Sequence, residues 1–281
     1  MECEPSLSVC ESEGVVGDPR IERERVYHDE RFANSSRSVV SKYYAVTRGC
    51  TQEYRRRISE YGAGRDVLEY GCGTGSQSFF LAQQGARITG IDLSQVAIDQ
   101  AHAVADAKGL DICFRVANAE QVPIQNASFD LICGSGILHH LDLTRACSEL
   151  RRLLRPGGRA VFVEPLGHNP VINWYRRRTP GLRTVDEHPL LVHDLKLFQR
   201  YFGRVDASYF ALFALAAVPF RGLAHFERLL TVLEEVDRLA FRWIPMLRSQ
   251  AWIVLLTLSE PLPAVLDPAE NGSVTNGDLS S

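Results

Sequence analysis

The chain has 281 residues, 45% of them hydrophobic and 23% charged, which is typical of a globular protein with one large domain and some additions. Its net charge is −3 and no segment is strongly basic, so a nucleic-acid backbone is not expected as the main partner. Seven cysteines without a C-x-x-C pair argue against a zinc-type cysteine cluster and indicate a reducing compartment.

Neither a targeting signal nor a membrane span is visible in the residues. The first residues are acidic and polar rather than basic and then apolar, and no uninterrupted apolar stretch reaches the length of a span. We therefore predict a cytoplasmic protein with no integral membrane segment. The clusters Arg55-Arg56-Arg57 and Arg176-Arg177-Arg178 are interpreted as solvated helix faces, with an anionic acceptor or peripheral membrane contact as the alternative.

The N-terminal region divides into two parts. Residues 1–25 are acidic, contain prolines and glycines and show little periodicity, which predicts a disordered tail. Residues 26–61 are predicted to be helical, because aromatic and apolar side chains recur at helical spacing from Tyr27 to Tyr43. This aromatic stripe either packs in the core or covers a ligand beside the following strand.

A glycine-rich turn follows the first predicted strand. The run Val67-Leu68-Glu69-Tyr70 leads into Gly71-Cys72-Gly73-Thr74-Gly75, which predicts a buried strand, a tight turn and the start of a helix. Glycine is required where the backbone has a positive φ or lies against a ligand, and a helix start offers unpaired N–H groups. The spacing G-x-G-x-G differs from the G-x-G-x-x-G fingerprint of dinucleotide sites, which disfavours a nicotinamide enzyme.

Polar side chains mark the ends of the next strands. Asp92 ends the second strand, where a carboxylate accepts hydrogen bonds from ribose hydroxyls in βαβ nucleotide sites; capping of the next helix is the alternative. Asn118 follows the third strand and Ser135 follows the fourth. A Pro-Gly-Gly turn precedes the fifth strand at 159–165, and this alternation of strands and helices predicts a parallel sheet with right-handed crossovers.

Together these motifs resemble those of the class I S-adenosylmethionine (SAM) dependent methyltransferases, in the branch that acts on small molecules, over about residues 66–165. The resemblance implies an α/β, Rossmann-like, doubly wound and mostly parallel sheet of seven strands, with a helical lid at 26–61 over the cofactor. Asn118 stands where the family often has Asp, and its amide carbonyl can still accept from the adenine amino group. The implied SAM contacts are Glu69, Gly71, Cys72, Gly73, Gly75, Asp92, Leu93, Asn118, Ala119, Glu120, Ser135, Tyr27 and Tyr43.

The domain predicted to bind SAM spans residues 62–260. An apolar helical insertion at 211–250 separates its sixth and seventh predicted strands, and residues 261–281 are predicted to form a disordered tail. The insertion holds more apolar side chains than a crossover needs. It either completes the core or a dimer contact, or forms the wall of an acceptor pocket, and the second interpretation favours an apolar acceptor. Monomer and homodimer both stay open.

The candidate catalytic residues lie after the fourth and fifth strands. SAM donates its methyl group by in-line displacement, which requires close alignment of the reacting atoms, and a hydroxyl or ammonium acceptor must also lose a proton, a task that suits histidine. His139 and His140 follow the fourth strand at the edge where ligands bind, Glu164 ends the fifth, and His188 lies in the next loop. No convergent acidic cluster indicates a metal site, so none is predicted.

The predicted function is methyl transfer from SAM to a small, apolar or aromatic acceptor, with O-methylation favoured. The alternative is C-methylation of a quinone or lipid-like compound. A nucleic-acid or protein methyltransferase is disfavoured. Methyltransferases that act on amino groups of DNA and RNA usually carry an Asn/Asp-Pro-Pro-aromatic turn after the fourth strand, where this chain has Gly134-Ser135-Gly136. A SAM-binding subunit without catalytic activity is the remaining hypothesis.

Overall fold

The computed structural model describes residues 18–34 and 45–263 of the chain. Within these residues, seven strands form one sheet. In chain order they are β1 (Asp66–Tyr70), β2 (Arg87–Asp92), β3 (Cys113–Val116), β4 (Phe129–Ser135), β5 (Leu154–Pro165), β6 (Phe202–Phe210) and β7 (Ile253–Pro261). Each predicted strand is present. β5 is longer than predicted, because it begins before the Pro-Gly-Gly turn rather than after it.

The strands lie in the order β3-β2-β1-β4-β5-β7-β6. Strands β1 to β5 are parallel to one another, whereas β7 runs antiparallel between β5 and β6. This mostly parallel sheet with flanking helices confirms the predicted Rossmann-like fold class. The strand order reverses between β1 and β4, and open α/β sheets bind ligands in the crevice at the carboxyl ends of strands at such a point.

Buried side chains pack on both faces of the sheet. In β1, Val67 belongs to one cluster of core residues and the adjacent Leu68 to another, and both are fully buried, as is typical of a parallel sheet covered by helices. The helices are α1 (Pro19–Ala33), α2 (Arg48–Gly62), α3 (Ser76–Ala82), α4 (Gln95–Lys108), α5 (Leu143–Leu153), α6 (Pro170–Arg178), α7 (Asp194–Phe198) and α8 (Phe226–Trp243). None of these described helices has the length and apolarity needed to cross a membrane.

Helix α1 begins earlier than the sequence predicts. The side chain of Asp18 accepts a hydrogen bond from the N–H of Arg20 at 2.9 Å. Pro19 occupies the first helical position, where its missing N–H removes no helical hydrogen bond. The prediction of a disordered tail through residue 25 is therefore wrong for residues 19–25, although residues 1–17 lie outside the described part of the chain.

The segment at 26–61, predicted to be helical, contains the end of α1 and nearly all of α2. Residues 45–47 between them are not helical, and residues 35–44, with Tyr43, lie outside the described residues. At the other end, β7 continues to Pro261, one residue into the predicted tail, and the residues from 264 onward are likewise outside the description.

The predicted insertion at 211–250 contains α8 between two 3-10 turns. Asp237 of α8 is buried, and its carboxylate accepts hydrogen bonds from three consecutive backbone N–H groups, those of Leu212, Phe213 and Ala214, at 3.1, 2.6 and 3.3 Å. Leu230 and Phe241 are buried on the same helix. Another set of its apolar side chains is exposed: Val232, Val236, Leu239 and Trp243. One face of the insertion thus completes the core, and another face is apolar and exposed.

Candidate functional site

A cavity of about 630 Å³ opens at the carboxyl ends of β1 and β4. The glycine turn after β1 lines it, together with the ends of β2 and β4. Side chains of α1 and residues that follow β5 complete its wall. Segments distant in sequence therefore meet at the point of the sheet where a ligand is expected.

The glycine turn has the backbone that its sequence predicts. Gly71, Gly73 and Gly75 have φ values of 64°, 50° and 82°, in the region that disfavours a side chain. Gly71, Cys72 and Gly73 line the cavity, whereas Gly75 does not. A Cβ atom at Gly75 would lie 2.8 Å from the ring of Phe114. This glycine is therefore needed for packing rather than for contact with a ligand.

Asp92 lines the cavity beside the glycine turn. Its Oδ2 accepts a hydrogen bond from the N–H of Gly73 at 2.8 Å, and its Oδ1 accepts one from the N–H of Ser94 at 2.9 Å. The helix cap considered as the alternative role of Asp92 is provided by Ser94, whose hydroxyl oxygen accepts a hydrogen bond from the N–H of Ala97 at 3.1 Å at the start of α4. The carboxylate is held in place and keeps lone pairs for a further donor, so its position fits the predicted ribose contact. Leu93 lines the cavity next to it.

Glu69 is buried next to the glycine turn and contributes to the cavity lining. Its carboxylate accepts hydrogen bonds from the backbone N–H of Ser78, at 2.7 Å, and from the hydroxyl of the same residue. Burial raises the pKa of Glu69 to about 7, because the charged carboxylate loses its hydration. A cationic ligand in the cavity would favour the ionised form.

The segment after β3 lines the cavity with Asn118, Ala119 and Glu120. Asn118 Oδ1 accepts a hydrogen bond from the N–H of Glu120 at 2.9 Å, and a carbonyl oxygen has a second lone pair for a ligand amino group. Glu120 is buried, and its Oε1 accepts from the N–H of Asp142 at 2.7 Å and from Arg20 at 2.5 Å. Glu120 therefore joins α1 to the start of α5, a role that its sequence position does not predict.

A histidine–carboxylate pair lies where β4 and β5 end. Glu164 is fully buried, and its Oε1 accepts hydrogen bonds from the N–H groups of Ile137 and Leu138 at 3.0 and 2.8 Å. Its Oε2 lies 2.7 Å from Nδ1 of His139. This contact directs the Nδ1 proton to the carboxylate and leaves Nε2 as the basic nitrogen. His139, Glu164 and the predicted contact Ser135 all line the cavity.

His140 lies in the same wall and faces helix α1. Its Nδ1 is 3.1 Å from Oε2 of Glu24, and His28 Nε2 is 3.4 Å from the same oxygen. Burial lowers the pKa of His140, and the neighbouring His139 and His28 add to this effect, which Glu24 opposes. The ring is therefore disposed to be neutral at neutral pH.

Besides Gly75, two predicted site residues among those described lie outside the cavity lining. His188 is exposed, its Nδ1 lies 3.0 Å from the carbonyl oxygen of Asp186, and it does not line the cavity. Its backbone N–H donates to the carbonyl of His139 at 3.0 Å, so it contacts the site through the backbone. Tyr27 is partly buried against the ring of His28 and is likewise absent from the lining.

Another part of the wall comes from the residues that follow β5. Arg176 donates through Nη1 to the carbonyl of Leu166 at 3.1 Å and to Asn173 Oδ1 at 3.0 Å. Burial, with repulsion from Arg183, lowers the pKa of Arg176 to about 10. The other lining residues here are Ile172, Tyr175, Arg183, Glu187, Trp252 and Ile253. This wall combines apolar side chains with positive charge that is partly withdrawn from water.

The predicted insertion contributes to a different cavity. Of the residues that the structure describes between 211 and 250, none lines the large cavity. Several, among them Asp237 and Phe241, line a second cavity of about 460 Å³. At the large cavity, the wall that the sequence analysis associated with 211–250 is instead formed by α1 and by the residues after β5.

Sequence reasoning missed Arg20, Glu24, His28 and Arg176 as residues of the cavity wall. Glu24 and His28 are four residues apart, so they share one face of a helix, and this spacing was a signal that could have been found. Arg20 and Glu24 were not found because they fall in the segment predicted to be disordered. Arg176 was interpreted as part of a solvated cluster.

Comparison with known proteins agrees with the geometry of the site. A family model described as a methyltransferase domain matches residues 67–158, which include the glycine turn, Asp92, Asn118 and the His139–His140 pair. An O-methyltransferase (resE) of Aspergillus sclerotiorum is 34% identical over 42% of this chain and 46% of its own length. A ubiquinone biosynthesis O-methyltransferase of Pseudomonas aeruginosa is 34% identical over 38% of this chain and 47% of its own length. The chain thus spans less than half the length of these curated relatives.

A solved structure with the same fold is that of a geranyl diphosphate methyltransferase in complex with SAM. It aligns with a TM-score of 0.53 at 19% sequence identity, over 75% of this chain and 84% of the other. At this identity the likeness concerns the fold.

Proposed function

We propose that the chain is a class I SAM-dependent methyltransferase, which its match to a methyltransferase domain at residues 67–158 supports, and that it transfers the methyl group of SAM to a hydroxyl oxygen of a small, apolar or aromatic acceptor. The glycine turn would hold the adenosyl part of SAM, with Asp92 at its ribose and Asn118 at its adenine. Glu69, next to the turn, provides negative charge for a cationic cofactor.

The observation that carries this proposal is the pairing of His139 with the buried Glu164. The carboxylate is held by two backbone N–H groups and in turn orients the imidazole at 2.7 Å. An imidazole fixed in this way has one nitrogen available to a cavity ligand, and a positioned base contributes about 10²–10⁴-fold to rate. His139 thus acts as the general base, and His140 lies beside it.

In the reaction, the chain's own residues hold the acceptor and remove its proton. The acceptor hydroxyl is hydrogen-bonded to Nε2 of His139, which takes the proton as the oxygen attacks the methyl carbon. When bound, SAM would supply the sulfonium leaving group, which becomes the neutral thioether of S-adenosylhomocysteine. Glu164 stabilises the imidazolium that forms.

The acceptor class follows from the wall after β5. Ile172, Tyr175 and Trp252 offer apolar and aromatic surface, and Arg176 adds a cation whose nearest hydrogen-bond acceptors are neutral. A phenol whose ring packs on this surface and whose negative charge develops towards Arg176 matches both properties. An uncharged aliphatic alcohol would match the apolar surface but not the positive charge of Arg176.

The test is transfer of labelled methyl from SAM to phenols, to hydroquinones and to a small-molecule extract, with total RNA and total protein as parallel acceptors. We expect label in an aromatic product whose new methyl is bonded to oxygen by mass spectrometry and NMR. A product methylated on ring carbon would replace the proposal by C-methylation of a quinone-like compound. Label in RNA or protein alone would refute it, and SAM binding without any product would indicate a non-catalytic subunit.

A further inference from the structure

Three potential metal ligands converge where helix α1 meets the turn after β4. Glu24 and His28 lie one helical turn apart on α1, and His140 belongs to the 3-10 turn Leu138–His140. One ligand atom from each of the three lies within 4.8 Å of the other two. All three residues line the large cavity, so the cluster has a path from solvent and a free side towards a ligand.

The distances within this cluster match those around a bound ion. Oε2 of Glu24 is 3.1 Å from His140 Nδ1 and 3.4 Å from His28 Nε2. Oxygen and nitrogen ligands about 2.0–2.2 Å from a tetrahedral zinc ion are separated by about 3.3–3.6 Å, close to the two distances at Glu24. The carboxylate oxygen therefore already has the spacing to both imidazoles that a shared ion would require.

Two of these atoms lack a partner that their burial demands. Glu24 and His140 are only 4% and 8% exposed, and Glu24 Oε2 and His140 Nδ1 have no hydrogen-bond partner beyond the ion-pair contacts that Glu24 makes with His140 and His28. Leaving such buried groups unsatisfied is costly. A cation between them would satisfy both atoms at once.

From this geometry we propose that Glu24, His28 and His140 bind one divalent transition-metal ion of the zinc type. Two imidazoles and one carboxylate are the donor set of catalytic zinc and non-haem iron sites, which leave a position for another ligand. Magnesium is disfavoured, because it prefers oxygen ligands and retains water. The site joins α1 to the sheet edge, so an ion bound there holds the helix over the cavity.

The surroundings of the cluster support an ion. The hydroxyl of Thr184 donates to the other carboxylate oxygen of Glu24, which is the kind of outer contact that orients a metal ligand. The nearby cation Arg20 is paired with Glu120 at 2.5 Å, so part of its charge is compensated.

The direct test is titration of the metal-free full-length protein with Zn²⁺ by calorimetry, and with Co²⁺ by absorption spectroscopy. We expect one saturable site per chain, a visible Co²⁺ band of a low-symmetry nitrogen–oxygen site, and a higher melting temperature with the metal. Mg²⁺ at the same concentration should not compete. Neither readout involves methyl transfer, so the result bears on the metal site and leaves the proposed function to its own test.

Variants separate this site from adventitious binding to surface histidines. His28→Ala and Glu24→Gln should each weaken Zn²⁺ binding by more than about 100-fold, which exceeds the typical cost of losing an outer contact. Thr184→Val should weaken it by about tenfold, and His193→Ala, at an exposed histidine, should leave it unchanged. Absence of a saturable site, or wild-type affinity in folded His28→Ala protein, would overturn the proposal.

Discussion

Two sides of the cavity differ in the sequence range of the contacts that stabilise them. One is the glycine-turn side, and the other, called the lid side, is formed by α1 and the residues after β5. On the glycine-turn side, Asp92 bonds to Gly73 and Ser94, and Glu69 bonds to Ser78. On the lid side, Arg20 reaches Glu120 and the carbonyl of His140, both at least 100 residues away. The first side is formed by one βαβ unit, whereas the second exists only once α1 has packed on the finished sheet.

Under the proposed function, this difference separates cofactor binding from catalysis. The short-range contacts build the part of the cavity proposed for the cofactor. The side chains proposed to act on the acceptor, those of His139, Glu164 and Arg176, lie on other walls of the same cavity. Changes on the two sides should therefore affect different measured quantities, and the following substitutions are ordered from the largest expected effect to the smallest.

Replacing the proposed base should give the largest effect. His139→Asn should lower kcat by about 10²–10⁴-fold, because the acceptor proton then has no positioned base, while the dissociation constant of SAM stays nearly unchanged. Steady-state kinetics with the identified acceptor and calorimetry with SAM measure the two quantities. His193→Asn serves as the matched control. Loss of SAM affinity equal to the loss of kcat would show that the two sides are not separable.

The glycine-turn side should respond in the opposite manner. Asp92→Ala removes a charged acceptor from the ribose and from the N–H of Gly73, so SAM should bind about 10–100-fold more weakly, as expected for hydrogen bonds to a charged group. Thermal stabilisation by saturating SAM should shrink accordingly. The comparison is Asp111→Ala, at an exposed position. Equal SAM affinity in both variants would contradict the assignment of Asp92.

Releasing the lid should have an intermediate effect. Arg20→Gln removes the guanidinium 2.5 Å from the buried Glu120 and leaves that of Arg145 at 3.6 Å, and charged hydrogen bonds are worth about 1.5–3 kcal/mol. Amide hydrogens of α1 should therefore exchange about tenfold faster or more, with little change in β1 or β4. Hydrogen–deuterium exchange followed by mass spectrometry resolves the two regions. Uniformly faster exchange across the sheet would mean that α1 is part of the global folding unit.

The smallest effect concerns pH. Burial raises the folded-state pKa of Glu69 from 4.5 to about 7, so folding favours the neutral carboxyl. The contribution of this group to folding stability is therefore present below about pH 4.5 and is lost as the pH rises through 7. SAM is cationic and prefers the ionised carboxylate, so its affinity should fall by up to about tenfold from pH 8 to pH 6. Calorimetry on Glu69→Gln should show a weaker affinity with this pH dependence removed. A parallel slope in both proteins would assign the titration to another group.

The sequence predicted the glycine-turn side well because its information is local. Strand alternation and the Pro-Gly-Gly turn located β1 to β5, and the glycines and Asp92 followed from their spacing, whereas the role of Asn118 was implied by the family resemblance. Gly75 is the exception, since the clash with Phe114 that requires glycine depends on packing between β3 and α3. The place of β7 between β5 and β6 was not predicted, because no pattern in the strands indicates it.

The lid side could not be predicted in the same way. The charged composition of residues 19–25 predicted disorder, yet ion pairs from Arg20 to Glu120 and from Arg23 to Asp186 fix this segment in place. His139 was one of four candidate catalytic residues, and the structure distinguishes it from His188 by its contact with Glu164 and by its place in the cavity wall. The insertion at 211–250 was considered as a wall of the acceptor pocket because of its apolar content, but Asp237 bonds to residues 212–214 of the same segment and lines a different cavity.

The most direct test of the central claim is a crystal structure of the protein with S-adenosylhomocysteine and an unreactive phenol. We predict the ribose on Asp92, the adenine beside Asn118, and the phenol oxygen between the cofactor sulfur and Nε2 of His139, within the near-attack distances of about 3–3.5 Å that transfer requires. A cofactor bound away from the glycine turn, or a phenol oxygen that does not contact His139, would contradict the account.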